Sequence, residues 1–151
     1  IGSSYEFLRA TRTRTANAMY IHPATRYIDD TAAALGLEKA TPSATPGLVC
    51  AKSDDDDELL VGGGKKQFSS CVGLLLYLAS YRHDIQWVLG DLCSQLQKPT
   101  CLAWQKLKHL TQYLIGTRDM CLLYPVEPAM REISVYVDTD WAKGLERRSV
   151  S

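Results

Sequence analysis

The sequence lacks the residue clusters from which most small metal sites and covalent catalytic sites are built. Its five cysteines include no CxxC pair, so no zinc site starts from a cysteine pair. The three histidines, His22, His83 and His109, are far apart in the chain and show no spacing typical of metal ligands or of a nucleophile, histidine and acid set. The sequence therefore gives no support for hydrolysis by a side-chain nucleophile.

A long apolar segment is also missing. The longest apolar run extends from Val72 to Ala79, far short of the roughly 20 residues that a membrane-spanning helix needs. The chain does not open with a secretory signal, and an odd number of widely spaced cysteines favours reduced thiols over a disulfide framework. We therefore expect an intracellular protein that has no contact with a membrane.

Net charge is absent too, although the charged residues are segregated. Lys and Arg together number 17, as do Asp and Glu, but residues 54–58 form an acidic block and residues 65–118 are distinctly basic. The acidic block lacks the interleaved glycines and ligand spacing of a calcium loop, so a solvated loop is predicted there. The basic stretch indicates a surface able to bind a polyanion.

The first third of the chain predicts strands and one helix. Residues 5–20 are rich in Thr, Arg and aromatics, which favours two strands in a hairpin that turns near Asn17. A helix is predicted over residues 24–35, with Pro23 in its first turn and Gly36 as its C-terminal stop.

The rest of the chain predicts a linker, three helices and the start of a sheet. Prolines, the acidic block and three glycines between residues 39 and 64 favour an exposed linker. Helices are predicted over 67–80, 84–96 and 100–115, with Asp84 and Thr100 as N-caps and Gly116 as a stop. Strand patterns follow at 120–124 and 133–137. The predicted fold class is α+β, mainly helical: an N-terminal β-hairpin, one helix, an acidic and glycine-rich linker, a three-helix bundle and the start of a β-sheet.

Two carboxylates close the last predicted strand. Asp138 and Asp140 follow the alternating segment Val135-Tyr136-Val137, and nucleases that use two metal ions hold them with carboxylates, one of which projects from such a strand. One strand supplies only part of the set of carboxylates that such a site needs. The alternative is that both residues are ordinary strand-end and turn residues.

Cations on the third helix of the bundle and on the hairpin are candidate nucleic-acid contacts. The helix cations lie beside an apolar stripe, and the hairpin arginines are expected to share one face of a strand. Either set would contact a phosphate backbone through non-specific charge interactions. A solvated helix surface and a solvent-facing strand edge explain the two sets equally well. The helix set is Lys106, Lys108 and His109, and the hairpin set is Arg9, Arg12 and Arg14.

A series of short motifs carries a resemblance to a known family. In chain order they are Val72-Gly73-Leu74-Leu75-Leu76-Tyr77-Leu78-Ala79, Arg82-His83-Asp84-Ile85, Lys98-Pro99-Thr100, Tyr113-Leu114 with Gly116-Thr117, Tyr136-Val137-Asp138-Thr139-Asp140-Trp141-Ala142 and Arg147-Arg148-Ser149. Their order and spacing resemble the Pol polyprotein of copia-type LTR retrotransposons, from the end of the reverse transcriptase to the first strand of ribonuclease H.

The resemblance implies a division of the chain and a role for each part. Residues 1–48 would be the end of the polymerase palm with its primer-grip hairpin and a helix, and 49–66 a linker. Residues 67–117 would be the thumb and connection helices that hold the template-primer duplex, and 118–151 an incomplete, ribonuclease H-like domain. Arg9 stands where the family usually has Gly, a replacement expected to disturb the primer grip.

The resemblance also implies a metal and partners. Asp138 would be the first metal-binding carboxylate of the ribonuclease H site, with Asp140 a second candidate, and the intact parent would use Mg²⁺ or Mn²⁺. We expect no tight metal binding here and no catalysis by the chain alone, because the other carboxylates would lie outside it. The expected partners are an RNA–DNA hybrid or template-primer duplex and the rest of the Pol polyprotein, in the cytoplasm within a virus-like particle or in the nucleus.

Three functional hypotheses stay open at this stage. The chain is a non-catalytic segment of a reverse transcriptase and ribonuclease H polyprotein, a small helical module that binds nucleic acid or a protein partner, or a non-functional relic of a degenerate element. A salt titration of binding to an RNA–DNA hybrid would separate the first two, because backbone contacts weaken steeply with salt. Flat or absent binding would favour an interaction module or a relic.

Overall fold

An antiparallel sheet and a cluster of helices make up the part of the chain described by the computed structural model, residues 3–48, 57–126 and 135–137. A 3-10 turn at His83–Ile85 leads into the third helix. The strands are β1 (Ser3–Phe7), β2 (Ala10–Arg14), β3 (Ala18–Pro23) and β4 (Leu122–Pro125), and the helices are α1 (Arg26–Leu35), α2 (Gly63–Ala79), α3 (Gln86–Ser94) and α4 (Cys101–Gly116).

The N-terminal sheet contains one strand more than the predicted hairpin. Asn17 lies in the turn between β2 and β3, which the Thr15 N–H closes by donating to the Ala18 carbonyl at 2.8 Å. A second turn joins β1 to β2 through Leu8 and Arg9, with φ values of 49° and 58°. Two-residue turns with both φ angles positive are usually built from Asn and Gly. This turn could not be predicted from the sequence because neither residue type stands there.

The strand after α4 completes the N-terminal sheet. The strand order is β1-β2-β3-β4, and Tyr20 of β3 pairs with Leu123 of β4 in antiparallel register. The expectation that this strand opens a new sheet is therefore wrong, because the open edge of β3 offers its backbone groups to β4.

The predicted strand before Asp138 is absent from residues 135–137. These three residues have no strand structure, and Val135, Tyr136 and Val137 are strongly exposed. Alternating apolar residues form a strand only when a neighbouring strand takes up the backbone hydrogen bonds and one face is covered. Neither condition holds for this tripeptide within the described part of the chain. The division into domains stays a prediction.

Local stereochemistry explains the C-terminal end of α1. Gly36 adopts a left-handed conformation, φ 67°, and the following Leu37 N–H donates to the Ala32 carbonyl at 2.8 Å, so the predicted glycine stop is confirmed. The predicted start of this helix at residue 24 is not confirmed. Pro23 is the last residue of β3, and the helix begins at Arg26 with Thr25 as its N-cap.

The predicted exposed linker is packed at both of its described ends. Ser43 contacts His109 of α4, with Oγ and Nε2 3.0 Å apart, so residues 39–48 lie against that helix. After the acidic block, the Leu60 N–H donates to the Pro99 carbonyl at 2.8 Å. Within the block, the Asp57 carboxylate accepts the Leu102 N–H. A carboxylate at a helix N-terminus satisfies an unpaired donor, so Asp57 contributes to the N-terminal end of α4.

Glycine at position 116 is required by packing. A Cβ there would lie 2.7 Å from the Cβ of Pro42, closer than side-chain atoms normally approach. The helix includes Gly116, and Thr117 is its C-cap, so the prediction of Gly116 as a stop is off by one residue. By contrast, the predicted cap Thr100 is confirmed, because its hydroxyl accepts the Ala103 N–H at 3.0 Å.

The four helices share one apolar core. The side chains that are most completely buried come from α1, α2, α4 and the α3 region, and each contributes roughly 1.5–3 kcal/mol by leaving water. The largest of them are Phe68, Ile28, Leu75, Leu78, Ile85, Leu89, Leu92, Leu107, Leu110 and Leu114. The helical faces predicted from apolar spacing are the ones that meet here.

Cysteine burial varies along this core. Cys71 is buried, whereas Cys93, Cys101 and Cys121 are partly accessible, and these four thiols are free. Burial raises the pKa of the Cys71 and Cys93 thiols, which lowers their thiolate fraction and hence their reactivity. Among the described helices, none combines the length and the apolar character needed to cross a membrane.

The left-handed turn at Leu8 and Arg9 generates a stability prediction. Leu8 is 71% exposed, so its side chain gains little from burial while its backbone adopts a conformation disfavoured for leucine. Asn adopts this conformation more readily. We expect Leu8→Asn to raise the free energy of unfolding by about 0.5–1 kcal/mol, measured by urea denaturation.

A matched control is available on β4. Leu123 is also exposed but lies in an extended strand, where Asn brings no backbone benefit. Leu123→Asn should leave stability unchanged or lower it, and an equal gain for both variants would contradict the explanation.

Candidate nucleic-acid interface

The two predicted metal ligands, Asp138 and Asp140, lie outside the described residues. Within residues 3–48, 57–126 and 135–137, no three His, Cys, Asp or Glu side chains come together as a possible metal site. The assignment of these carboxylates to Mg²⁺ or Mn²⁺ therefore stays a prediction.

Lys106, the first predicted cation of α4, joins two helices. Its Nζ lies 2.9 Å from Oδ2 of Asp91 on α3, and the lysine side chain is only 15% exposed. Lysine side chains bury their methylene stem readily while the ammonium keeps a charged partner. Its position therefore ties α3 to α4, and a phosphate would have to compete with Asp91 for the ammonium.

The other two cations of α4 are also engaged. Lys108 places its Nζ 5.7 Å from the centre of the Trp104 ring, within the range of a cation–π interaction. His109 contacts Ser43 and so holds residues 39–48 against the helix. The structure thus brings the three predicted residues to one helix but gives each of them a partner inside the protein.

The β2 arginines are more accessible. Arg12 and Arg14 lie two residues apart on one strand and project from the same face of the sheet, whereas Arg9 lies in the preceding turn and does not share that face. The Arg12 Nη1 donates to the Phe7 carbonyl at 2.6 Å, and its guanidinium carbon lies 5.0 Å from the centre of the Phe7 ring. Arg14 is exposed. The contacts with Phe7 hold the Arg12 guanidinium on β2 and leave further N–H groups that can donate to a phosphate.

A buried arginine occupies the connection between α2 and α3. Arg82 is only 2% exposed and binds the Asp84 carboxylate with two nitrogens, Nε to Oδ1 at 2.9 Å and Nη2 to Oδ2 at 2.7 Å. Its remaining donors reach the end of α4, where Nη1 donates to the Thr117 carbonyl at 2.9 Å and Nη2 to the Thr117 hydroxyl at 2.7 Å. Each nitrogen of this guanidinium thus donates to an acceptor.

Tyr113 completes this network from α4. Its hydroxyl donates to Oδ2 of Asp84 at 2.8 Å, and the Arg82 guanidinium lies 5.7 Å from the centre of its ring. Burial disfavours the charged carboxylate of Asp84, but the hydrogen bonds from Arg82 and Tyr113 and the positive charge of Arg82 outweigh it, so the pKa of Asp84 lies below its ordinary value. Burial, together with the bond to Asp84, raises the pKa of the Tyr113 hydroxyl.

The prediction of Asp84 as a helix cap is therefore wrong. No side chain caps α3, whose N-cap is Ile85, and the Asp84 oxygens are used by Arg82 and Tyr113 instead. The network was missed because Tyr113 and Thr117, which complete it, lie 29 and 35 residues from their partners in the sequence. The available signal was an arginine two residues before an aspartate in a short connection between two apolar helices, where a charged pair has little space to reach water.

Two curated proteins of Arabidopsis thaliana are similar to this chain. One is the Retrovirus-related Pol polyprotein from transposon RE2, which is 30% identical over 117 residues, 78% of this chain and 8% of that protein. This chain is similar to a segment of a retrotransposon Pol polyprotein. The other is an uncharacterized mitochondrial protein, 26% identical over 118 residues, 78% of this chain and 48% of that protein.

The chain spans less than half of either relative. No protein-family model matches it, and no solved structure matches it. The expected resemblance to a retrotransposon Pol polyprotein is confirmed, whereas the region of the polyprotein stays a prediction.

The Arg82 network generates a prediction for Asp84→Asn. Removing the carboxylate charge leaves a buried guanidinium without its counter-ion, which is costly because Arg82 cannot lose its proton. The Asp84 side chain is 26% exposed, so water reduces the cost of a fully buried unpaired charge. We expect a loss of about 2–4 kcal/mol in the free energy of unfolding. Asp30→Asn is the control, because its pair with Arg26 is exposed and should change stability by less than about 1 kcal/mol.

A pH titration tests the same pair. Because the folded pKa of Asp84 is lowered, its stabilising effect is complete above the unfolded pKa of about 3.9 and disappears as pH falls through the folded pKa. The difference in unfolding free energy between the wild type and Asp84→Asn should narrow as pH falls from about 5 to below the unfolded pKa. A difference that stays constant over this range would argue against an ionised Asp84 in the folded protein.

Proposed function

We propose that this chain is a segment of a retrotransposon reverse transcriptase and ribonuclease H polyprotein that holds template-primer duplex and carries out no catalysis by itself. The observation that carries the proposal is the 30% identity to a Pol polyprotein over 78% of the chain. The partner would be an RNA–DNA hybrid or the template-primer duplex, together with the rest of the Pol polyprotein.

The accessible arginines support a role in duplex binding. Arg12 and Arg14 share one face of β2, and strand spacing places such alternate side chains about 7 Å apart, so this face presents two cations to a phosphate backbone. Lys108 is a third contact, because a cation–π contact leaves its ammonium donors available. Lys106 and His109 take a structural part, joining α4 to its neighbours.

The ribonuclease H part of the proposal depends on Asp138. Carboxylate oxygens are the ligands that Mg²⁺ prefers, and Asp138, with Asp140 beside it, would hold one side of a metal ion in the parent. When bound, such an ion would supply Lewis-acid stabilisation of the phosphate under attack.

An interaction module is the second candidate, and the edge strand β1 favours it. Tyr5 and Phe7 are both more than half exposed on a strand whose outer edge has no partner among the described residues. Exposed aromatic side chains beside unpaired backbone groups are typical of edge strands that pair with a strand of another chain. If this candidate is right, the chain binds a partner protein and shows no salt-sensitive affinity for nucleic acid.

A salt titration with an RNA–DNA hybrid separates the two candidates. If cations contact phosphates, the logarithm of the binding constant should fall linearly with the logarithm of salt concentration. Replacing both Arg12 and Arg14 by Gln should weaken binding and reduce the slope by roughly 2, about 0.9 for each phosphate that is no longer neutralised. The measurement is fluorescence anisotropy of a labelled hybrid.

The control is Lys98→Gln, an exposed lysine between α3 and α4. It removes a charge without touching the β2 face and should leave the slope almost unchanged. Absent binding, or binding that does not respond to salt, would count against duplex holding and for the interaction module.

A further inference from the structure

A cavity of about 420 Å³ lies where the β1–β2 turn meets the helices. Its walls come from the turn residues Leu8 and Arg9, from the start of α1 and from the second half of α2. This volume is within the range of pockets that hold small molecules. None of the predicted duplex contacts Arg12, Arg14 and Lys108 lines it.

A pair of stacked tyrosines forms one wall of this cavity. The Tyr27 and Tyr77 rings are nearly parallel, with centroids 5.4 Å apart and an interplanar angle of 12°. Tyr27 is buried, whereas Tyr77 is 64% exposed, so most of the outer ring is available for contact. A further planar ring would extend the stack towards solvent, as bases do on exposed aromatic side chains.

Two cations face the same space. Arg9 and Arg26 both line the cavity, and none of its described lining residues is acidic. The Arg9 Nη1 donates to the Tyr27 hydroxyl at 3.1 Å, which orients the guanidinium beside the stacked rings and leaves its other donors available. Arg26 has Asp30 at 3.5 Å, but both side chains are largely exposed, so this pair is weak and open to exchange.

The backbone of Arg9 adopts an energetically unfavourable conformation. With φ of 58°, Arg9 adopts a conformation that disfavours side chains other than Gly, Asn and Asp. A left-handed residue that persists at the mouth of a cavity is an observation that points to function. Here it directs a cation towards an aromatic stack.

We propose that this cavity binds a nucleotide, with the base stacked on Tyr77 and the phosphate between Arg9 and Arg26. The ligand chemistry is a planar aromatic ring joined to a phosphate, provided by a free mononucleotide or by the 5′-phosphorylated end of a strand. This inference does not rest on duplex holding, because its residues are separate from Arg12 and Arg14.

Calorimetric titration of the full chain with adenosine 5′-monophosphate tests the proposal. We expect the nucleotide to bind at least tenfold more tightly than either adenosine or inorganic phosphate, because only the nucleotide engages both the stack and the cations. Arg9→Asn should weaken binding about tenfold through loss of a charge-assisted hydrogen bond, and Tyr77→Leu by a similar factor through loss of stacking.

The two variants have matched controls outside the cavity. Lys39→Ala removes one exposed positive charge and Tyr124→Leu one exposed tyrosine, and both should bind the nucleotide within about twofold of the wild type. Asn tolerates the left-handed conformation, so Arg9→Asn should keep the turn. Circular dichroism of each variant checks that the fold is retained.

The outcomes are distinct from those of the hybrid titration. Absence of nucleotide binding, equal binding of phosphate alone, or equal losses in variants and controls would each overturn the proposal. A 5′-phosphorylated oligonucleotide that displaces the mononucleotide, where its unphosphorylated form does not, would identify a strand end as the source. Failure of that competition with retained mononucleotide binding would identify the free nucleotide.

Discussion

Arg82 carries a positive charge that is almost completely withdrawn from water, and the arrangement of the helices follows from how that charge is satisfied. Burying an ion is costly unless it is paired and all its donors are used. Asp84 supplies the counter-charge, and Thr117 supplies two acceptors at the end of α4. A cation at a helix C-terminus is also favoured by the helix dipole. The α2–α3 connection is thereby fixed to the end of α4.

The position of β4 depends on the same attachment at the end of α4. Only a few residues separate Thr117 from Leu122, the first residue of β4, so fixing the end of α4 limits where that strand can run. In the structure it pairs with β3 and links the last helix back to the N-terminal sheet. Pro42 against Gly116 and Ser43 against His109 bring residues 39–48 to the same helix. The C-terminal half of α4 thus connects the sheet, the helices and the loop.

Local signals in the sequence predicted the elements that depend on local physics. Apolar spacing placed α2, α3 and α4 within a few residues, and Gly36 and Thr100 were recognised because a left-handed stop and a hydroxyl cap involve only neighbouring residues. Asp84 and Gly116 were misassigned because their roles depend in part on Tyr113 and Pro42, which only the fold brings near. The same reasoning explains Lys106, whose amphipathic position suggested a nucleic-acid contact while its partner on α3 was not visible in the pattern.

Arg9 shows how a residue that breaks a local preference can keep the fold intact. The family resemblance predicts Gly at this position, and Arg was expected to disturb the hairpin. The register is nevertheless unbroken, because Phe7 and Ala10 pair directly across the two-residue turn. The conformational cost of a left-handed arginine is offset in part by its bond to the Tyr27 hydroxyl. Glycine would form the same turn more easily but would leave the stacked tyrosines without this cation, so the substitution changes the chemistry of the cavity more than the geometry of the sheet.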